Sequence, residues 1–222
     1  IAVSEFTKQK IITHYGVPAE KVTVVHNGIE HTGPFYREKF GFTNDNKLVL
    51  FLGRVTLQKG PEFYLYTAKR VLEMNPDVRF AMAGTGDMLP QMIEMAANMG
   101  IGDKVLFTGF LRGSETDDIY RMADLYVMPS VSEPFGITPL EAMKNGTPVI
   151  ISKQSGVSEV LSHCMKVDFW DVDRMANQIL SVLKYNEVHE CMQENGYVEV
   201  QRITWDAAAS KCIDVYKNLG VT

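Results

Sequence analysis

The chain is short of cysteine. Cys164, Cys191 and Cys212 are all it carries in 222 residues. An odd count without metal-ligand spacing excludes a disulfide framework and a cysteine metal site; buried, reduced thiols in a reducing compartment are expected. The chain also lacks any apolar run near the roughly 20 residues that a membrane-crossing helix needs, so no span is expected. No stretch reads as a secretory leader. Basic surplus is missing too: 22 Lys and Arg against 27 Asp and Glu leave a net charge of −5, which argues against a general nucleic-acid binder. The location these absences suggest is the cytoplasm, including its periphery at the inner membrane face. There is no internal repeat and no low-complexity segment. What is present is ordinary for a globular chain, with 45% apolar and 22% charged residues. That is enough for one sizeable core. The first residue is Ile1 rather than Met, as expected of a piece of something longer.

Periodicity orders the rest. Residues 4–16 read as a short helix with Ser4 as N-cap and Gly16 as stop. A β-branched run at 22–25 precedes the turn-like Asn27-Gly28, and residues 29–46 are polar and irregular. Short continuous apolar strands are then expected near 48–52, 78–83, 104–107, 124–128, 148–151 and 164–167. Helical patterns fall between them near 61–75, 87–99, 114–122, 137–146 and 156–161, and three more follow at 171–185, 187–202 and 204–219. Strands apolar on both faces and separated by helices imply a parallel sheet covered on both sides. The fold class is therefore α/β, a doubly wound, parallel, six-stranded, Rossmann-like sheet with C-terminal helices. In the strand order 3-2-1-4-5-6 the first and fourth strands are neighbours, and the crevice beyond their C-terminal ends is where ligands bind. Two loops should meet there: 53–60, which reads GRVTLQKG, and 129–136, which reads PSVSEPFG.

Those loops carry the chemistry. Arg54 and Lys59, beside Gly53 and Gly60, are two cations able to hold a diphosphate and neutralise it as it leaves. The spacing is not that of a Walker loop. Residues 132–149 read SEPFGITPLEAMKNGTPV. Glu133 precedes Pro134, so its backbone is expected to be extended. Gly136 opens a helix whose free amides attract phosphate, and Glu141, one turn in, can accept ribose hydroxyls. A loop acid, a glycine, a helix start and a second acid suit a nucleotide sugar. The plain alternative for each group is a solvated surface charge.

Other signals are weaker. Gly84-Thr85-Gly86 lacks the third glycine of the dinucleotide fingerprint and reads as a tight turn. Leu111 and Arg112 follow the third strand, where backbone can read a base edge and Arg112 can stack on a base. Asp171-Val172-Asp173 resembles a metal-binding Asp-x-Asp, but Asp171 reads better as an N-cap. His26 reads as structural as readily as catalytic. Met88, Met92, Met95 and Met99 lie at helical spacing and read as core filling.

The stretches GRVTLQKG, AGTGDM, FTGFL and SEPFGITPLEAMKNGTPVI resemble the C-terminal, donor-binding domain of family 4 retaining glycosyltransferases, which have the GT-B fold. The resemblance covers nearly the whole chain. It implies that residues 1–30 are the close of an N-terminal domain plus the interdomain linker. Residues 31–222 would be the C-terminal nucleotide-sugar-binding domain, with the acceptor-binding N-terminal domain absent. It implies that Arg54 and Lys59 bind the donor diphosphate and that Glu133 contacts the donor sugar. Phe135, Gly136 and Ile137 would meet phosphate or sugar through their backbone, and Glu141 would hold the ribose. It further implies a metal-independent reaction without cofactor, with a UDP-, ADP- or GDP-sugar as donor and a glycan or other hydroxyl acceptor bound by the missing domain. Retention without a second nucleophile implies front-face attack. Two departures stand out: Ser155-Gly156 where the family has Gly-Gly, and KVDFWDVD in place of a glycine-rich, proline-containing turn. Two readings compete: a non-catalytic nucleotide-binding module, and a retaining glycosidase using Glu133 and Glu141. The cationic loop argues against the second, since a neutral glycoside has no diphosphate to bind.

Overall fold

The computed structural model describes residues 1–30 and 46–220. The irregular stretch expected at 29–46 lies almost wholly outside them, as does the expected domain boundary at 30/31. Six strands form one parallel sheet: β1 (Leu48–Leu52), β2 (Arg79–Ala83), β3 (Val105–Gly109), β4 (Leu125–Met128), β5 (Val149–Ser152) and β6 (Met165–Val167). Their order is β3-β2-β1-β4-β5-β6. β1 is the pivot, pairing Val49 with Phe80 on one side and with Leu125 on the other.

The sheet is apolar on both faces because helices cover both. On one face Val49, Phe51, Phe80, Met82, Leu125, Val127 and Ile150 pack against α2 (Pro61–Met74), α3 (Leu89–Asn98) and α6 (Val172–Lys184). On the other, Leu48, Leu50, Ala81, Tyr126, Met128, Val149 and Ile151 meet α4 (Ser114–Met122) and α5 (Thr138–Lys144). α7 (Asn186–Val200) reaches both clusters through Met192 and Val200, and α8 (Trp205–Asn218) closes the described chain. Each large side chain so buried contributes about 1.5–3 kcal/mol. Met92 is fully buried, with Met88, Met95 and Met99 packed beside it as the spacing predicts.

Caps fix the helix ends. In α1 (Glu5–Tyr15), Ser4 accepts from the Thr7 amide at 3.0 Å, and Gly16 terminates the helix at φ +64°. A left-handed turn of that kind suits glycine. Asp171 accepts from the Arg174 amide at 3.1 Å, as expected of an N-cap, and Asp173 pairs with Arg70 at 2.8 Å.

Two expectations need correction. Residues 156–161 are not an α-helix but a single 3₁₀ turn, Gly156–Glu159. The preceding residues pair with the 133–135 backbone, so the chain is already held when it starts to coil. The β-branched run at 22–25 makes one bridge, Val24 to Ala2. The cysteines are unpaired, but not uniformly buried: Cys191 is exposed and Cys164 and Cys212 are half-buried. The buried stripe of α7 runs Met192, Gly196, Val200, and Cys191 falls one position off it.

Candidate functional site

The strand order brings the loops after β1 and β4 together. The Val131 amide donates to the Gln58 carbonyl at 2.9 Å, and Gln58 Nε2 donates to the Ser132 carbonyl at 2.9 Å. Gly60, at φ +63°, permits the approach: a Cβ there would lie 2.2 Å from the Pro129 oxygen. Across this seam Lys59 Nζ forms an ion pair with Glu133 Oε2. Glu133 is only 7% exposed, so the surface-acid alternative does not apply to it. A partly desolvated pair of this kind depends on both members, since removing either leaves a buried charge uncompensated.

The Glu133 backbone is extended and held on one side by residues 154–156. Its amide donates to the Gln154 carbonyl at 2.9 Å, and the Gly156 amide donates to its carbonyl at 3.0 Å. Gly136 follows at φ +97°, against Glu133 Cγ and the Met128 thioether. The amides of Phe135, Gly136 and Ile137 donate to no group among the described residues. They stand at the start of α5, the polarity of backbone that suits an anion.

Glu141 sits one turn into α5. Tyr120 Oη donates to its Oε2 at 3.0 Å. Burial pushes the Tyr120 hydroxyl well above its usual pKa, and Tyr126 and the Glu141 carboxylate push it further, so it stays a donor. Tyr126 Oη lies 2.8 Å from Thr138 Oγ1 and 3.2 Å from the Leu52 carbonyl, joining the end of β1 to the start of α5. Its hydroxyl is also held neutral, chiefly by burial. Glu141 thus keeps one oxygen occupied from below and the other available to accept.

Beside this polar seam lies a cavity of about 440 Å³ at the C-terminal ends of β1, β2 and β3. Gly53 and Arg54, Gly84 and Thr85, and Phe110, Leu111 and Thr116 line it. Its floor is built by close backbone approach: a Cβ on Gly84 would meet the Gly53 oxygen at 1.9 Å, and one on Gly86 the Val55 oxygen at 2.2 Å. The shortened glycine turn is therefore a packing device. Arg54 is exposed at the rim, and among the described residues its guanidinium has no hydrogen-bond or ion-pair partner. One loop, 53–60, thereby places one cation in the cavity and the other in the ion pair. Arg112 does not line the cavity. Its guanidinium lies 5.4 Å from the Phe110 ring centroid, and its amide donates to Glu115.

Known proteins resemble this chain in sequence and fold. The family model described as Glycosyl transferases group 1 matches residues 33–199, and that described as Glycosyltransferase Family 4 matches residues 1–32. The chain belongs to the group 1 glycosyltransferases. Among related group 1 glycosyltransferases, an uncharacterized glycosyltransferase of Methanocaldococcus jannaschii is 33% identical over 98% of this chain and 59% of its own length. Mannosylfructose-phosphate synthase of Agrobacterium fabrum is 27% identical over 96% of this chain and 51% of its own. The chain thus spans between half and three-fifths of the length of these two relatives. Among solved structures, Anabaena HepE in complex with UDP and glucose superposes with a TM-score of 0.83, covering 98% of this chain and 62% of that one, at 19% identity. At that identity the likeness concerns the fold alone, a six-stranded parallel sheet with flanking helices.

Several residues of this seam gave no local signal. Thr116 and Thr85 enter the cavity only because strands β2 and β3 end side by side. Tyr120 reads in sequence as a core aromatic, and its hydroxyl contact with Glu141 spans 21 residues. The departure at Ser155 is accommodated: its backbone is extended, and its hydroxyl donates to the Ser152 carbonyl at 2.7 Å. Gly156 is the position that tolerates no side chain, because a Cβ would meet the Pro134 oxygen at 2.3 Å.

Proposed function

We propose that this chain is the donor-binding half of a retaining glycosyltransferase that uses a nucleoside-diphosphate sugar. The observation that carries the reading is the seam itself: the Lys59–Glu133 pair, three amides and an Arg54 guanidinium that have no partner among the described residues, and a tyrosine-braced Glu141, all beside one cavity. The cavity has the size and apolar lining that suit a nucleobase. Glu141, with one oxygen engaged by Tyr120, accepts from a ribose diol. Arg54, Lys59 and the amides at 135–137 take the diphosphate, and Glu133 faces the sugar.

Charge sets the mechanism. Breaking the sugar–phosphate bond leaves negative charge on the diphosphate and positive charge at the anomeric carbon. Lys59 and Arg54 stabilise the first without help from a metal. Glu133 stabilises and orients the second. Lys59 is engaged by Glu133 before any ligand arrives, so diphosphate binding redistributes that ammonium between carboxylate and phosphate. In this reading no second nucleophile takes part. The acceptor hydroxyl attacks the anomeric carbon from the leaving-group face, and its proton passes to the departing phosphate oxygen. The anomeric configuration is retained. The acceptor, a glycan or other hydroxyl compound, is held by chain outside this segment.

Thermal-shift titration with UDP, ADP and GDP tests the reading. One of the three raises the melting temperature at millimolar concentration, and Glu141→Ala abolishes most of the shift. No response to any of them would overturn it. Nucleotide binding without sugar transfer, once the segment is assayed within its full chain, would leave a non-catalytic binding module.

A further inference from the structure

A different family model matches residues 1–32, and within that segment residues 4–10 lie directly on the loop that carries Glu133. Ser4 Oγ donates to the Pro134 carbonyl at 2.5 Å, Thr7 Oγ1 to the same oxygen at 3.2 Å, and Lys10 Nζ to Ser132 Oγ at 2.7 Å. On its opposite side the loop is bound through backbone to 154–157, including a 2.7 Å bond from the Val157 amide to the Phe135 carbonyl. Glu159 closes the ring. Its two carboxylate oxygens accept from the Glu5 and Phe6 amides at 2.8 and 2.7 Å, and His26 Nε2 lies 3.1 Å from Oε2. Gly156 makes the closure possible, since a Cβ there would stand 2.5 Å from Ser4 Cβ.

Three segments therefore clamp residues 132–135, and one side chain joins two of them. We infer that Glu159 is a positioning residue: by anchoring the N-terminus of α1 and His26 to the 156–159 turn, it fixes the Pro134 carbonyl and so aims Glu133 at the sugar end of the donor site. This inference rests on the donor-site reading above. The bidentate acceptance of two helix-start amides by one carboxylate is the strong, geometrically defined form of such a bond. Its effect should be felt more by the sugar than by the nucleotide, because Glu141, Tyr120 and the cavity lie outside the clamp and only the Phe135 amide and the Lys59 partner lie within it.

The test is calorimetric titration of the chain with a nucleoside diphosphate and with the matching nucleotide sugar. In Glu159→Gln, nucleotide-sugar affinity is expected to fall roughly tenfold while diphosphate affinity changes less than about twofold. In a Glu133→Gln background, Glu159→Gln should cost no further sugar affinity, because the residue through which it acts is already gone. Ser4→Ala, which removes one of the two ties to Pro134 but leaves the Glu159 bonds, should give a smaller loss of the same kind. It serves as the probe where Glu159→Gln does not fold. Equal loss for both ligands, or an undiminished loss in the Glu133→Gln background, would assign Glu159 to stability alone. Unchanged affinities in both variants would overturn the inference and leave the donor site standing. Absence of any nucleotide binding by the parent chain would overturn both.

Discussion

The two sides of the sheet's C-terminal edge are built differently. Beyond β1, β2 and β3 lies open space, floored by glycine backbones and lined by small or apolar groups, with the exposed Arg54 at its rim. Beyond β4 and β5 there is no slack: Glu133 is buried, paired with Lys59, bonded through its backbone to 154–156 and clamped by residues 4–10. A nucleobase needs a slot of suitable size and tolerates small changes of pose. A carboxylate that must meet a developing positive charge needs its position held closely. The difference teaches which side is expected to vary with donor identity and which is not.

The largest effect should come from the rigid side. Glu133→Ala leaves Lys59 without its partner, and urea unfolding should show a loss of about 3 kcal/mol. Removing both with Lys59→Met/Glu133→Leu should restore most of it. Equal losses in the single and double variants would mean that the pair is not what the seam depends on. On the open side, Leu111→Trp fills the cavity. Nucleoside diphosphate affinity should drop by about tenfold or more, with a stability change within about 0.5 kcal/mol. A large stability loss there would erase the contrast. Tyr120→Phe removes one hydrogen bond to Glu141. It should weaken nucleotide binding by about 1 kcal/mol and leave the discrimination between diphosphate and nucleotide sugar intact.

The smallest effect lies behind β5 and β6. Asp168 accepts from Lys153 at 2.7 Å and from Gln154 at 2.9 Å, and these bonds hold its carboxyl below the usual carboxylate range. A depressed folded-state pKa adds stability that is present above the ordinary carboxylate pKa and lost as pH falls through the folded value. Asp168→Asn should therefore lower the melting temperature slightly at neutral pH and leave it unchanged in acid below the folded-state value, which flattens the acid limb of the profile.

The sheet was legible in sequence because each strand is a short apolar run between helical periods, and the strand order then placed the two loops together. Ser4, Gly16 and Asp171 were legible because caps are local. Residues at the site separate along the same line. Glu133, Gly136 and Glu141 sit within one stretch and stand out as a pattern. The clamp does not, because Ser4 meets Pro134 across 130 positions and Glu159 meets Glu5 across 154. Neither partner carries a local mark of the other. The 3₁₀ turn was missed for the same reason, since its shape follows from a bridge between Glu133 and Ser155 rather than from its own periodicity. Cys191 was misjudged because composition says nothing about which face of a helix a residue takes.

One feature of the seam bears on how this scaffold can be recombined. At Gly60 the loop after β1 touches the loop after β4 backbone to backbone, with the Pro129 oxygen occupying the place a side chain would take. The Gln58 carbonyl and the Val131 amide complete that contact. Neither loop can be exchanged for a foreign sequence by itself without prying the other loose. Residues 53–60 and 129–136 should graft only as a matched pair, whereas 110–113, which shares no such suture among the described residues, can be swapped alone.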